Sequence, residues 1–449
     1  MLAAVVATFL IGYTLIVFEH PLKLDKSVPA LLAGVLCWVF VALGDLPVIG
    51  ESHEVEPSKE VLLYHMGEIS QILFFLIGAM VIVELVDLHQ GFSVITDRIR
   101  TTSKKSMLWL ISFLAFFLSS VLDNLTTTIV LVSLLRKLVP DHKERLWYVS
   151  FVVIAANAGG AWTPIGDVTT TMLWIKEKVS TVGLMEHLVV PSLACLIVPL
   201  VIAGFLPVFK GSVNVPEQHH TDKTKKKKLL SSKTMLICGV GGLIFVPVFK
   251  AITGLPPFMG MMLSLAVVWL VSEYIHPEED FHEERKHMYT VRHALSRIEL
   301  SSILFFLGIL LAVSSLDAVV ATTHADGHPV GLLGSMAEHL QLAIPNLDIV
   351  VVILGFLSAI VDNVPLVAAV MGMYPMDLFP MDAKLWQFIA YTAGTGGSIF
   401  IIGSAAGVAA MGMERIDFIW YFKKMSWIAL LGYLAGVFSF LIIYKLLLS

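Results

Sequence analysis

Two acid–amide pairs stand where their surroundings make them costly. Asp123-Asn124 lies inside Ser119-Ser120-Val121-Leu122-Asp123-Asn124-Leu125-Thr126-Thr127-Thr128, and Asp362-Asn363 lies inside Ser358-Ala359-Ile360-Val361-Asp362-Asn363-Val364-Pro365. Each pair sits near the middle of an apolar segment without Lys or Arg. A carboxylate at such a place in a membrane is a functional candidate by default. Asp and Asn can also cap a helix that restarts there, but Ser or Asn alone would cap without a buried carboxylate. Such groups supply oxygen, and small hard cations are held by carboxylates, carbonyls and hydroxyls.

Further oxygen donors fall in two glycine-interrupted stretches. One is Asn157-Ala158-Gly159-Gly160-Ala161-Trp162-Thr163-Pro164-Ile165-Gly166-Asp167. The other is Gly394-Thr395-Gly396-Gly397-Ser398-Ile399-Phe400-Ile401-Ile402-Gly403-Ser404. The expected ion ligands are therefore Asp123, Asn124, Asn157, Thr163, Asp167, Ser358, Asp362, Asn363, Ser398 and Ser404. Desolvation disfavours a buried carboxylate's charge, so each buried Asp holds either a proton or a cation. Competition for one carboxylate is a minimal exchange mechanism. Asp123 and Asp362 are its first candidates, Asp167 the third, and Glu68, near a span end, a further proton-coupling residue. Asp167 aligns with Ser404, an asymmetry that assigns the ion mainly to the first acid–amide pair. No Lys or Arg lies in the spans that carry these donors to balance an anion, so the site reads as cation-selective. The sequence holds no nucleotide fingerprint, Walker motif or nucleophile elbow. It therefore reads as a carrier driven by an ion gradient, without a cofactor or nucleic-acid partner, and not as an enzyme.

Composition says what must position these groups. The 449 residues are 57% hydrophobic and 14% charged, against about 25% charged in soluble domains, which excludes a soluble fold. The class is an all-α polytopic membrane protein. Apolar spans are expected near 1–19, 28–47, 67–90, 107–135, 148–175, 188–208, 234–252, 256–275, 298–320, 349–374, 385–413 and 425–447. The first has no basic leader or cleavage site and reads as a retained helix. Cys37, Cys195 and Cys238 all lie in apolar segments and read as small hydrophobes.

Charges set the orientation. Segment 107–135 is flanked by Arg98, Arg100, Lys104 and Lys105 on one side and by Arg136, Lys137, Lys143 and Arg145 on the other. Positive-inside bias puts both flanks in the cytoplasm. Arms of roughly 15 residues, about 22 Å long, pass the middle of a core about 30 Å thick without crossing it. The segment reads as a re-entrant hairpin with Asp123-Asn124 at its tip. Segment 349–374 has only acidic flanks, Asp326, Glu338, Asp377 and Asp382, and reads as a second hairpin entering from the opposite face. Glu68-Ile69-Ser70-Gln71-Ile72-Leu73-Phe74-Phe75-Leu76 before the first hairpin matches Glu299-Leu300-Ser301-Ser302-Ile303-Leu304-Phe305-Phe306-Leu307 before the second.

Matching parts of opposite orientation make an inverted-topology repeat, and broken spans at corresponding places point to a midplane site. The expected organisation is N-terminal helices over 1–66, a first repeat over 67–208 and a basic cytoplasmic linker over 209–233 with Lys225-Lys226-Lys227-Lys228. Scaffold helices and a loop follow over 234–297, then a second repeat with a C-terminal helix over 298–449. An interfacial helix is expected at 330–344 and a surface helix at 415–424. Glu84, Asp87 and His89 are weaker candidates for a pH-sensing entry, with Asp317 of similar standing near the outside. The loop residues His219, His220, His282, His287, His324 and His328 show no ligand spacing.

Leu122-Asp123-Asn124-Leu125-Thr126-Thr127-Thr128, followed by Asn157 through Asp167 and Val168-Thr169-Thr170, resembles the NhaD-type sodium/proton antiporters of the ion transporter superfamily. The resemblance runs from about Glu68 to Gly412. Relatives that carry dicarboxylates place Ser-Asn-Thr at both tips; here Asp replaces that Ser twice, which fits a cation substrate. The resemblance implies export of Na⁺ or Li⁺ against inward H⁺ across the inner (plasma) membrane, a homodimer, and a scaffold beside a moving part that contains both hairpins. A carboxylate or oxyanion carrier on the same scaffold is the alternative reading. Val364-Pro365 departs from Leu125-Thr126 and leaves the second tip with fewer hydroxyls.

Overall fold

A computed structural model describes residues 1–52, 54–96, 99, 101–213, 231–275, 291–323 and 328–447. The lysine run 225–228 lies outside these described residues. So do Arg98, Arg100, His219, His220, His282, His287, His324 and Asp326.

The described residues are mostly helical. In chain order the helices are α1 (Leu2–Val17), α2 (Glu19–Leu22), α3 (Ser27–Leu43), α4 (Ser58–Leu88), α5 (Ser93–Thr96), α6 (Lys104–Ser119) and α7 (Asn124–Leu138). Next come α8 (His142–Gly160), α9 (Val168–Ile175), α10 (Thr181–Ala203), α11 (Ser231–Thr253), α12 (Pro257–Tyr274), α13 (Val291–Arg297) and α14 (Leu300–Ala318). The last are α15 (Leu332–Ala343), α16 (Leu347–Leu357), α17 (Asn363–Met373), α18 (Lys384–Gly396), α19 (Ala405–Glu414), α20 (Phe418–Lys424) and α21 (Ser426–Leu447). Six of these, α4, α10, α11, α12, α14 and α21, are long and apolar enough to cross a membrane. Exposed Leu10, Phe205, Ile237, Leu270 and Phe438 present the apolar exterior that lipid requires.

The acid–amide and glycine-rich segments are where helices break. Breaks separate α6 from α7, α8 from α9, α16 from α17 and α18 from α19. Each restart is capped by a side chain. Asp123 accepts from the Thr126 amide, Asp167 from Thr169, Asp362 from Val364 and Ser404 from Gly407. These caps satisfy N–H groups that cannot be left bare away from water. Pro365, in the first turn of α17, sacrifices no helical hydrogen bond.

Two hydrophobic cores divide the molecule. The larger draws on α4, α6–α10, α16, α18 and α21. The smaller joins α1, α3, α4 and α14, with Met172 of α9 and Val364 and Ala368 of α17 packed into it. Helices α15 and α20 occupy the segments 330–344 and 415–424, and α15 is bent 116° from α16.

Two features differ from the expectation. Helix α4 begins at Ser58, directly after Pro57, rather than at 67. Hydropathy marks where lipid begins, whereas the helix continues through polar residues beyond it. Two small antiparallel ladders, Val48–Ile49 with Val55–Glu56 and Val320–Thr323 with Pro329–Gly331, are too short to register in a search for spans. A bridge between Val48 and Val319 ties them at one end of the molecule.

Candidate functional site

Asp167, at the N-terminus of α9, is the point on which both acid–amide tips converge. It is 2% exposed. One oxygen, Oδ1, accepts from the Thr169 amide and the Thr169 hydroxyl, each at 2.8 Å. The other, Oδ2, accepts from Asn124 Nδ2 at 2.7 Å. Asn363 Nδ2, from the second tip, reaches both oxygens at 3.4 Å. One carboxylate therefore touches α7, α9 and α17 together.

Asn157 extends the network into the other broken span. Its Oδ1 accepts from Asn124 Nδ2 at 3.0 Å, and its Nδ2 donates to Ser398 Oγ at 2.8 Å and Ser404 Oγ at 2.9 Å. All three side chains are buried. Asn124, Asn157, Asp167, Asn363, Ser398 and Ser404 thus form one connected polar cluster, whose polar atoms satisfy one another in a low-dielectric interior.

Asp123 and Asp362 border this cluster and are less deeply buried than Asp167. Asp123 Oδ1 accepts from the Thr126 amide and Oδ2 from the Thr126 hydroxyl, each at 2.7 Å. Thr163 and Ser358 brace the breaks. Thr163 Oγ1 donates to Ser120 O at 2.6 Å, and Ser358 Oγ donates to Ala393 O at 2.8 Å. The Ser358 bond has a counterpart, since Ser119 Oγ donates to Ala156 O at 2.6 Å. Bare backbones allow the same close crossings. A Cβ on Gly159 would stand 2.1 Å from Phe116 O, and one on Gly396 would stand 1.9 Å from Gly355 O.

The second tip corrects the sequence reading once. A basic group does reach the site: Lys26 Nζ donates to Asp362 Oδ2 at 2.8 Å. Lys26 lies just before α3, outside every apolar span, but its long stem carries the ammonium inward over the Phe305 ring at 4.4 Å. The available signal was local: Asp25-Lys26-Ser27 is a charged cluster against the start of an apolar helix.

Glu68 stands apart from the cluster, at the far end of α9 from Asp167. It pairs with Lys176, and its Oε2 lies 3.6 Å from His65 Nδ1. At the opposite end of α4, Arg297 Nη1 lies 2.8 Å from Glu84 and 4.0 Å from Asp87. The ring of His89 meets Ser272 Oγ at 3.0 Å. Glu414, at the end of α19, receives Arg136 Nε at 2.6 Å and Arg145 Nε at 2.8 Å. Thr169, Lys26 and Glu414 are the polar residues that sequence reasoning passed over. Among the described residues no group of three or more His, Cys, Asp and Glu is arranged to hold a metal. The cluster is instead an array of carboxylate, carboxamide and hydroxyl oxygens, the donor set of a weakly held hard cation.

Comparison with known proteins places this geometry. A family described as "Citrate transporter" (CitMHS) matches residues 13–394, and "Sodium/proton antiporter 2" of Arabidopsis thaliana is 46% identical over 97% of this chain and 98% of its own length. The chain belongs to the CitMHS family and groups there with the NhaD-type sodium/proton antiporters. "Sodium/proton antiporter 1" of the same plant is 48% identical over 99% of this chain and 73% of its own length. "Na(+)/H(+) antiporter NhaD" of Vibrio parahaemolyticus is 30% identical over 91% of this chain and 97% of its own length. Membership of the CitMHS family makes this chain a membrane transporter and not an enzyme. The family match ends before Ser398 and Ser404, but these antiporters extend the likeness across the second broken span.

Proposed function

We propose that the chain exchanges Na⁺ or Li⁺ for H⁺ by alternating access, with ion and proton competing for buried carboxylates. The observation that carries the proposal is the convergence of Asn124 and Asn363, one from each tip, on Asp167. Both carboxamides donate to Asp167 as they stand. Half a turn about the terminal torsion of each would replace its N–H with Oδ1, giving the carboxylate and two amide oxygens a common cation. Protonation of Asp167 removes the charge that holds that cation, so one site serves both substrates in turn. Asp123 supplies the neighbouring charge, and Asn157, Ser398 and Ser404 hold the amides in register.

The proposed architecture is an inverted repeat over 67–208 and 298–449, with re-entrant hairpins at α6–α7 and α16–α17. Paired contacts support it: Ser119 to Ala156 matches Ser358 to Ala393, and Gly159 against Phe116 matches Gly396 against Gly355. The ends bearing Arg136, Arg145 and Arg297 face the cytoplasm in this reading. The plasma membrane and a homodimer are part of the proposal and rest on family resemblance.

The family's description favours one second reading, a citrate or related carboxylate as substrate. Three aspartates against one lysine around the site oppose a polyanion. Proteoliposomes of the purified chain with a trapped pH dye separate the two. The proposal expects Na⁺ and Li⁺ each to drive proton movement, and labelled citrate to remain outside. Citrate uptake without Na⁺-driven proton movement would replace the proposal with the carboxylate reading.

A further inference from the structure

The two tips treat their carboxylates differently. At the first tip, Thr126 offers Asp123 both a backbone N–H and a hydroxyl, one to each oxygen. The counterpart of Thr126 in the second tip is Pro365, which has neither donor. Asp362 Oδ1 accepts from the Val364 amide at 3.3 Å. Its Oδ2 is taken by Lys26. A substituent that would have satisfied Asp362 from within its own helix is missing, and an ammonium from another element stands in its place.

That ammonium is built into position. Lys26 precedes α3, which packs along α14 in the smaller core. Asp25 anchors the turn: its Oδ1 accepts from the Ser27 amide and hydroxyl at 2.9 and 2.7 Å, and its Oδ2 from Ser301 Oγ of α14 at 2.6 Å. Phe305 of α14 lies beneath the ammonium. Glu19 and, more weakly, Glu299 also act on it electrostatically.

We infer that Lys26 is a tethered stand-in for the transported cation at Asp362, and that the ion and the Lys26 ammonium exclude one another there. This rests on the proposed cation exchange and names a residue that tunes it. The step exchanges one cation for another at a carboxylate oxygen, with no covalent change. The displaced ammonium still feels the charges of Asp25, Glu19 and Glu299, so it need not enter lipid uncompensated. With Lys26 in place the second tip is neutral, which leaves Asp167 and Asp123 to recruit the ion.

Equilibrium binding of ²²Na⁺ to the detergent-purified full chain tests this without requiring turnover. Lys26→Met should lower half-saturating Na⁺ by about fivefold or more. Lys26→Arg, whose guanidinium can grip Asp362 with two donors, should leave it unchanged or raise it. In an Asp362→Asn background, Lys26→Met should have no further effect. Equal half-saturation in wild type, Lys26→Met and Lys26→Arg would overturn the inference. So would a Lys26→Met shift that persists undiminished without Asp362, since it would mark a structural effect. A wild-type chain that binds no Na⁺ would instead remove the cation proposal on which the inference stands.

Discussion

At the residue scale, the account turns on which aspartate does what. Asp123 and Asp362 are conspicuous in sequence because each interrupts an apolar run. Asp167 is less so, since it follows a loop with Thr163 and Pro164 and reads as a plausible cap. Its centrality depends on which side chains the fold aims at it, and sequence spacing does not encode that. Asn124 and Asn363 are far apart in the chain, yet both donate to it. Asp167→Asn keeps a capping residue that can still accept from Thr169, so folding should be nearly unaffected. Exchange should nevertheless fall at least about 100-fold, because an amide cannot alternate between proton and cation. A variant with wild-type Na⁺-driven proton flux in proteoliposomes would remove Asp167 from the mechanism. Lys26 was illegible for a different reason: it lies outside the apolar span, and a lysine stem is long enough to cross that boundary.

At the element scale, the four breaks were the most legible part of the fold. Glycine, Asp-Asn and Pro signals interrupt otherwise continuous hydrophobicity, and each interruption became a capped restart. The close crossings explain why bare backbone is needed at Gly159 and Gly396. Alanine at either place drives Cβ into a carbonyl oxygen of the crossing helix. Gly159→Ala and Gly396→Ala should each destabilise by about 1–3 kcal/mol, read as a lower melting midpoint in detergent. Melting of either variant at the wild-type temperature would contradict the packing described.

The turn between α9 and α10 makes a separate prediction. Lys178 is buried against Trp386, and that burial pushes its ammonium down to about 8. The unfolded chain holds this proton more tightly, so between about pH 8 and the ordinary lysine range the unfolded state binds more protons. Stability should therefore rise with pH through that window, and Lys178→Met should flatten the rise. Melting midpoints measured across this alkaline range check it, and an identical slope in both proteins would contradict it. None of this was visible in sequence, where Lys178 is one of several turn lysines.

At the scale of the whole molecule, two bodies meet at the site. The smaller core carries α1, α3 and α14, and the larger carries α6–α10, α18 and α21. Glu414 ties α19 to Arg136 of α7 and Arg145 of α8, so elements from the two ends of the chain share one anchor. Glu414→Gln removes the charge from a buried acceptor of two guanidinium groups. It should cost about 1–3 kcal/mol and loosen α19, read as faster amide exchange over α19. Exchange unchanged over α19 would assign the anchor elsewhere. The charge pattern along the chain had already separated basic from acidic ends. It could not show that carboxamides from both tips meet at one carboxylate, because that depends on how deeply each broken segment reaches.

The central claim is that proton and cation compete for the same buried carboxylate. Half-saturating Na⁺ for exchange, measured in proteoliposomes at several pH values, tests it most directly. The account predicts that half-saturating Na⁺ rises as pH falls, approaching about tenfold per pH unit at the acidic end, while the maximal rate at saturating Na⁺ is recovered. A half-saturation that stays constant across pH, with only the maximal rate changing, would contradict it.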